Sequence, residues 1–194
     1  MPAMFDGRDT IVIYDKLAYE DLLPIRWRSE PAAPSDVQAA HYAERNVRVL
    51  QACDALEEHG QLDKKKADDD SPHSADLMRL DFKLNVLLDL VGQLLAQTQP
   101  RPAPTQIRFN AMGASWKTGE SLKSGSHGVL EITLRDVIVQ PLILPAEIVA
   151  GADAGFTRAR FLALGETVAD HIEKLVFRRH RRKIAGARQL SARK

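Results

Sequence analysis

Chemistry in this chain of 194 residues would have to come from a few side chains. The most prominent is the basic C-terminal run: Arg178, Arg179, Arg181, Arg182, Lys183, Arg188, Arg193 and Lys194. Guanidinium forks of this kind grip phosphates and carboxylates. A short polar stretch, Asn110-Ala111-Met112-Gly113-Ala114-Ser115, brings an amide, a hydroxyl and a glycine close together. Catalytic patterns are missing. The six histidines (His41, His59, His73, His127, His171 and His180) show no HExxH-like spacing, and Cys53 is the single cysteine. No zinc site is expected. Ser124-Gly125-Ser126-His127-Gly128 reads as a glycine-rich turn, because a catalytic triad is assembled from distant segments. Asp68-Asp69-Asp70 is balanced by Lys64-Lys65-Lys66 and reads as a solvated charge run. Gly113 to Gly128 lacks the Gly-Lys-Ser/Thr ending of a phosphate loop. The expectation is a protein without catalytic residues and without a metal.

Composition narrows the class. Hydrophobic residues make up 44%, charged residues 27%, and the formal net charge is +1. No global field draws the whole chain onto nucleic acid or a membrane. The basic tail has no interleaved aromatic beyond Phe177 and no DNA-reading motif accompanies it, so no nucleic-acid partner is expected; a binder of nucleic acid or another anionic surface through the tail arginines is the alternative. One cysteine allows no internal disulfide, which fits a reducing compartment. No apolar run reaches the ~20 residues of a membrane span. The start has no basic stretch followed by an apolar core. Cytoplasmic localisation without membrane insertion follows as an expectation.

The elements that would carry these residues fall into three stretches: residues 1–34, 35–98 and 99–194. In the first, Thr10 to Tyr14 and Leu22 to Arg28 read as strands, with Pro24 giving the second an edge position or an irregular start. In the second, Ser35 and Gln38 form a capping box for a helix from Asp36 to His59, ended by Gly60. Lys64 to Pro72 is a charged loop, Ser74 caps a second helix over roughly 75–97, and the prolines of Thr98 to Thr105 end it. In the third, the period changes to two. Strands are expected at Ile107 and Phe109, Val129 to Leu134, Val137 to Ile143 and Ala146 to Val149 (broken at Pro141 and Pro145) and Arg158 to Leu164, with turns at Gly113 to Gly128 and Gly151 to Gly155. Gly165 opens a last helix with Val168, Ile172, Leu175 and Val176 on one face. Short strands with frequent turns suggest a barrel, and a sheet split by two helices suggests an insertion. Trp27 and Trp116 could mark a contact surface or pack in the barrel wall.

The strongest pattern is a heptad seam. Leu77, Leu80, Leu84, Leu87, Val91 and Leu94 recur at spacings of three and four. Such a stripe stays on one face only if the helix supercoils with a partner. Leu88, Leu90 and Leu95 add a second apolar edge, which suits three or four helices better than two. The first helix offers Ala40, Ala43, Val47 and Leu50 in a similar register. Alanines bury too little area to cover the leucines. One reading is a hairpin within the chain that rests on the barrel; the leucine excess favours the other, a seam that joins copies of the chain in a homo-oligomer, a tetramer.

FNAMGASW, the turn Gly119-x-x-Leu122-x-x-Gly125, VLEITL, PLILPAEIV, RARFLAL and a closing helix together resemble the PilZ domain. The whole chain resembles the atypical, tetrameric PilZ proteins of xanthomonads, in which two long helices are inserted near the start of the barrel and the longer one drives tetramerisation. The resemblance implies an α+β protein: an antiparallel PilZ-like β-barrel with an inserted coiled-coil hairpin and a C-terminal helix. It also implies signalling linked to cyclic di-GMP, in regulation of pili, motility or virulence through protein partners. The family's usual ligand motifs are Arg-x-x-x-Arg and Asp/Asn-x-Ser-x-x-Gly. Here Asn110 matches, but Met112 stands for the serine and Ser115 for the glycine. No Arg-x-x-x-Arg is present among Arg26, Arg28, Arg45, Arg48, Arg101 and Arg108. Cyclic di-GMP would have to be held by Asn110, Met112 and Ser115 with Arg178, Arg179, Arg181 and Arg182 from the closing helix. The departures favour no cofactor and a scaffold used for protein contacts.

Overall fold

The computed structural model describes residues 17–65, most positions between 76 and 94, and residues 101–191 apart from 121 and 154. The strand expected at Thr10 to Tyr14, the cap at Ser74, and Leu88 and Leu95 lie outside the described residues. Six strands form a closed antiparallel barrel: β1 (Tyr19–Glu30), β2 (Pro104–Phe109), β3 (Gly113–Lys117), β4 (His127–Ile132), β5 (Leu142–Asp153) and β6 (Phe156–Phe161), in the order β1-β2-β3-β6-β5-β4. Helix α1 (Asp36–Lys65) and helical residues between 76 and 94, here α2, enter between β1 and β2. Helix α3 (Glu166–Ser191) follows β6.

Pro24, read as an edge or irregular start, and Pro145, read as a strand break, both lie within strands of the closed barrel. Tyr19 to Pro24 of β1 pairs with β2, and Ile25 to Glu30 pairs with β4. Pro24 stands opposite Pro104, where the β1–β2 ladder ends and neither residue needs a backbone N–H. Strand β5 runs unbroken through Pro145, which pairs with Val129. Side by side along one edge, Ile143 and Pro145 present their backbones to the same neighbour, because strand geometry repeats every two residues. The Pro145 carbonyl accepts from Leu162 N at 2.8 Å, just where β6 ends. Beyond it the Asn46 side chain of α1 takes over: Nδ2 donates to Ile143 O and Oδ1 accepts from Ile143 N, both at 2.7 Å. A buried asparagine thus continues the ladder that the proline interrupts.

Other expectations shift for local reasons. Residues 137–140, read as strand, form a turn and loop, and β4 starts at His127. Gly151 lies inside β5, with the reversal at Gly155 (φ 82°). Part of the stretch read as turn is β3, whose Ala114 and Trp116 point into the core. Trp116 stacks on Trp27 at 5.8 Å, so both serve wall packing. Gly128 makes room for that pair, since a Cβ there would strike the Trp27 ring and lie 2.6 Å from Arg28 O.

The capping box is present: Ser35 N donates to Gln38 Oε1 at 3.0 Å, and Gln38 N donates to Ser35 Oγ at 3.4 Å. Helix α1 does not stop at Gly60. It continues to Lys65, taking in two of the lysines expected in the charged loop. One helical glycine costs only about 1 kcal/mol, and Gln61, Leu62 and Lys64 are good helix formers. The apolar face of α1 also has a different destination. Val49, Leu50 and Cys53 are buried in the barrel core, with Ala43 and Val47 packed against it. Their neighbours are β5 and the Val168, Ile172, Leu175 and Val176 face of α3. Helices α1 and α3 run in the same direction: Ala43 lies beside Gly165, and Asp54 meets His171 and Arg178.

Candidate functional site

The short polar stretch becomes the β2–β3 turn. Asn110 N donates to Gly113 O at 3.0 Å. Asn110 Oδ1 accepts from Met112 N (2.8 Å) and Gly113 N (3.3 Å), an Asx turn that holds the hairpin closed. Met112 O accepts from Phe161 N at 2.9 Å and ties the turn to the end of β6. Asn110 is buried, and its amide oxygen is committed to the backbone of the turn. Ser115 is buried too, and sits between Arg108 and Arg158 in the cross-strand row of β2, β3 and β6. Its neighbours Ala114 and Trp116 point into the core, so Ser115 lies on the opposite face of the strand.

Helix α3 meets the same turn. A cavity of about 470 Å³ lies between them, lined by Leu17, Ala111, Met112, Val176 and Phe177, with Asn110 and Glu173 as the polar members. The structure therefore brings Asn110 and Met112 together with the closing helix. It does not bring Ser115 there.

The arginines have other partners. Arg178 bonds Asp54 of α1, which His171 Nδ1 also approaches at 3.4 Å. Arg179 NH2 donates to Asp21 Oδ2 at 2.6 Å and its guanidinium lies 5.3 Å from the Tyr19 ring. Arg181 lies over Phe177, 5.9 Å from the ring centroid, and Arg182 is exposed and engaged elsewhere. The first two clasp α3 to α1 and β1. Arg101 is likewise held by the side chain and carbonyl of Asp136, at 3.1 and 2.9 Å. Sequence spacing could not reveal these pairs, since Asp54 and Asp21 lie more than a hundred residues from their arginines. The one local signal for Asn110 was its place before a glycine after an alternating run.

The second site is the seam on α2. Leu77, Leu80, Leu84, Leu87, Val91 and Leu94 are between 49 and 63% exposed within the chain. Phe82, Val86 and Leu90 are exposed as well. Among the described residues, neither α1 nor the barrel covers this face. The helix touches its own barrel at Gly92, where a Cβ would lie 3.2 Å from Val137 Cα.

Among the described residues no helix is long and apolar enough to cross a membrane, and no cluster of three metal-ligating side chains occurs. No curated protein matches the chain. A solved structure from Xanthomonas campestris, described as a pathogenic protein with a tetrameric PilZ domain self-assembled via an unusual helical bundle, is 26% identical with a TM-score of 0.65; the match covers 92% of this chain and 96% of that one. Residues 50–189 match the model of a family described as the atypical PilZ domain, cyclic di-GMP receptor. With a closed six-stranded barrel, two inserted helices and a closing helix, the chain belongs to the atypical PilZ family.

Proposed function

We propose that this protein is a non-catalytic, self-associating signalling module that acts through protein contacts in cyclic-di-GMP-linked regulation of motility, pili or virulence, in the cytoplasm. The observation that carries the reading is the uncovered seam. Six apolar side chains in heptad register stand about half exposed along one helix. Apolar burial stabilises by about 25 cal/mol per Å², so several copies gain by covering it together. The Xanthomonas campestris structure, which covers nearly the same chain, is described as tetrameric through a helical bundle, and that supports a homotetramer here.

Changing both Leu84 and Leu87 to glutamate tests this reading. Burying unpaired charge in a bundle core is costly, so the assembly should fall to monomers by light scattering. A mass unchanged by the double substitution overturns the bundle.

The family description favours a second reading, that of a cyclic di-GMP receptor. Against it, Asn110 is spent on its own turn and Met112 has no donor. Arg178 and Arg179 are held by Asp54 and Asp21. Titration calorimetry with cyclic di-GMP, on a sample of checked mass, separates the two. No heat is the expected result; micromolar or tighter binding makes the protein a receptor.

A further inference from the structure

From Lys174 to Lys194 the chain carries nine lysines and arginines and no acidic residue. The preceding residues therefore hold eighteen basic against twenty-six acidic side chains. The near-zero net charge conceals a basic closing helix on an acidic body. That helix also forms one wall of the cavity at the β2–β3 turn.

We propose that this cavity and the face of α3 beyond it form a docking groove for an acidic, amphipathic segment of a partner protein. The inference rests on the protein-contact reading above and names the surface that would make the contact. Cavity size falls within the range of ligand sites, but its walls are Leu17, Ala111, Met112, Val176 and Phe177. None of these side chains offers a donor to a phosphate, and the Glu173 carboxylate at the same site repels one. Aromatic residues, methionine and arginine are instead the residues enriched at protein interfaces. Phe177 is 55% exposed, although its neighbours Val176 and Leu175 are buried. Phe177, Arg181 and Ile184 recur at i, i+4 and i+7 and so share a face of the helix. Ile184 is partly exposed, about 10 Å along the helix from Phe177. A partner helix with two apolar anchors a similar distance apart would seat one in the cavity and one on Ile184. Acidic residues between them would meet Arg181. Arg178 and Arg179 are paired within the chain, so the attraction falls to Arg181.

The test uses the full-length protein and a labelled helical peptide with leucines two turns apart and glutamates between them. A control peptide carries lysines in place of the glutamates. In fluorescence anisotropy the glutamate peptide should bind at micromolar concentration and the lysine peptide should not. Phe177→Ala and Arg181→Glu should each weaken binding roughly tenfold, the scale of a contact at the centre of an interface. Both side chains are exposed, so melting temperature and assembled mass should stay unchanged. The proposal is overturned if the glutamate peptide does not bind, if the lysine peptide binds equally, or if Phe177→Ala has no effect. Tighter binding to duplex DNA or to anionic vesicles than to the peptide overturns it too. Failure of self-association would register separately, as a low mass of the unaltered protein.

Discussion

Asn46 is the residue that most clearly joins sequence to fold. Its amide makes two 2.7 Å bonds to Ile143, where β5 has run past the end of β6. Asn46→Leu keeps the volume but leaves a buried N–H and C=O unpaired, at about 1–3 kcal/mol for each group. Chemical denaturation should report a loss of at least about 2 kcal/mol, and a neutral result would mean that water or a shifted backbone replaces the amide. Gly128 gives a second local test. Gly128→Ala places a methyl against Trp27 and the Arg28 carbonyl. Overpacking of this kind costs about 1–3 kcal/mol, and the near-ultraviolet circular dichroism of the stacked tryptophans should change. For Asn110, the structure assigns a turn role to a side chain that the family motif would give to a ligand. Asn110→Ala should lower stability by about 1 kcal/mol through loss of the Asx turn, as thermal unfolding would show.

At the scale of elements, the two inserted helices have different fates. Both are long and rich in alanine or leucine, and pattern alone leaves a hairpin within one chain as the alternative to a bundle of several copies. In the structure α1 sinks Val49, Leu50 and Cys53 into the barrel core, while the α2 seam faces outward. Leu50 is fully buried, so Leu50→Ala should cost about 2–5 kcal/mol. Replacing Leu84 and Leu87 by glutamate should leave the fold of the barrel intact, because neither residue touches its core. Unfolding measurements on the two variants would separate the roles. Comparable collapse of the barrel in both would contradict the division.

For the whole molecule, the question is which parts form one unit. The core takes side chains from β1, from α1 within the insertion, and from the C-terminal strands and α3. A chain from which residues 36–98 are removed should therefore fail to fold, since it loses the α1 face packed on β5 and α3. Amide dispersion in a proton–nitrogen NMR spectrum would report the outcome at once. Helix α3, whose apolar face lies in that core, is also tied to the body by two ion pairs, Arg178 to Asp54 and Arg179 to Asp21. The second is largely exposed and contributes little by itself.

The sequence by itself determined the features that depend on short-range order. The heptad period of Leu77 to Leu94, the Ser35–Gln38 capping box, the buried face of α3 and the resemblance of the C-terminal half to a PilZ barrel were all readable there, because helix period and strand alternation are local. The tertiary structure alone decided what each face meets. Pro24 reads as an edge or irregular start and Pro145 as a strand break, since a missing N–H usually costs a ladder bond. They are accommodated because the ladder ends at Pro104 and because Asn46 continues it from another element. The arginines of α3 read as ligand groups, since a guanidinium is equally suited to phosphate and carboxylate. Which anion each of Arg178 and Arg179 meets depends on carboxylates more than a hundred residues away, and closure of the barrel brings those within reach.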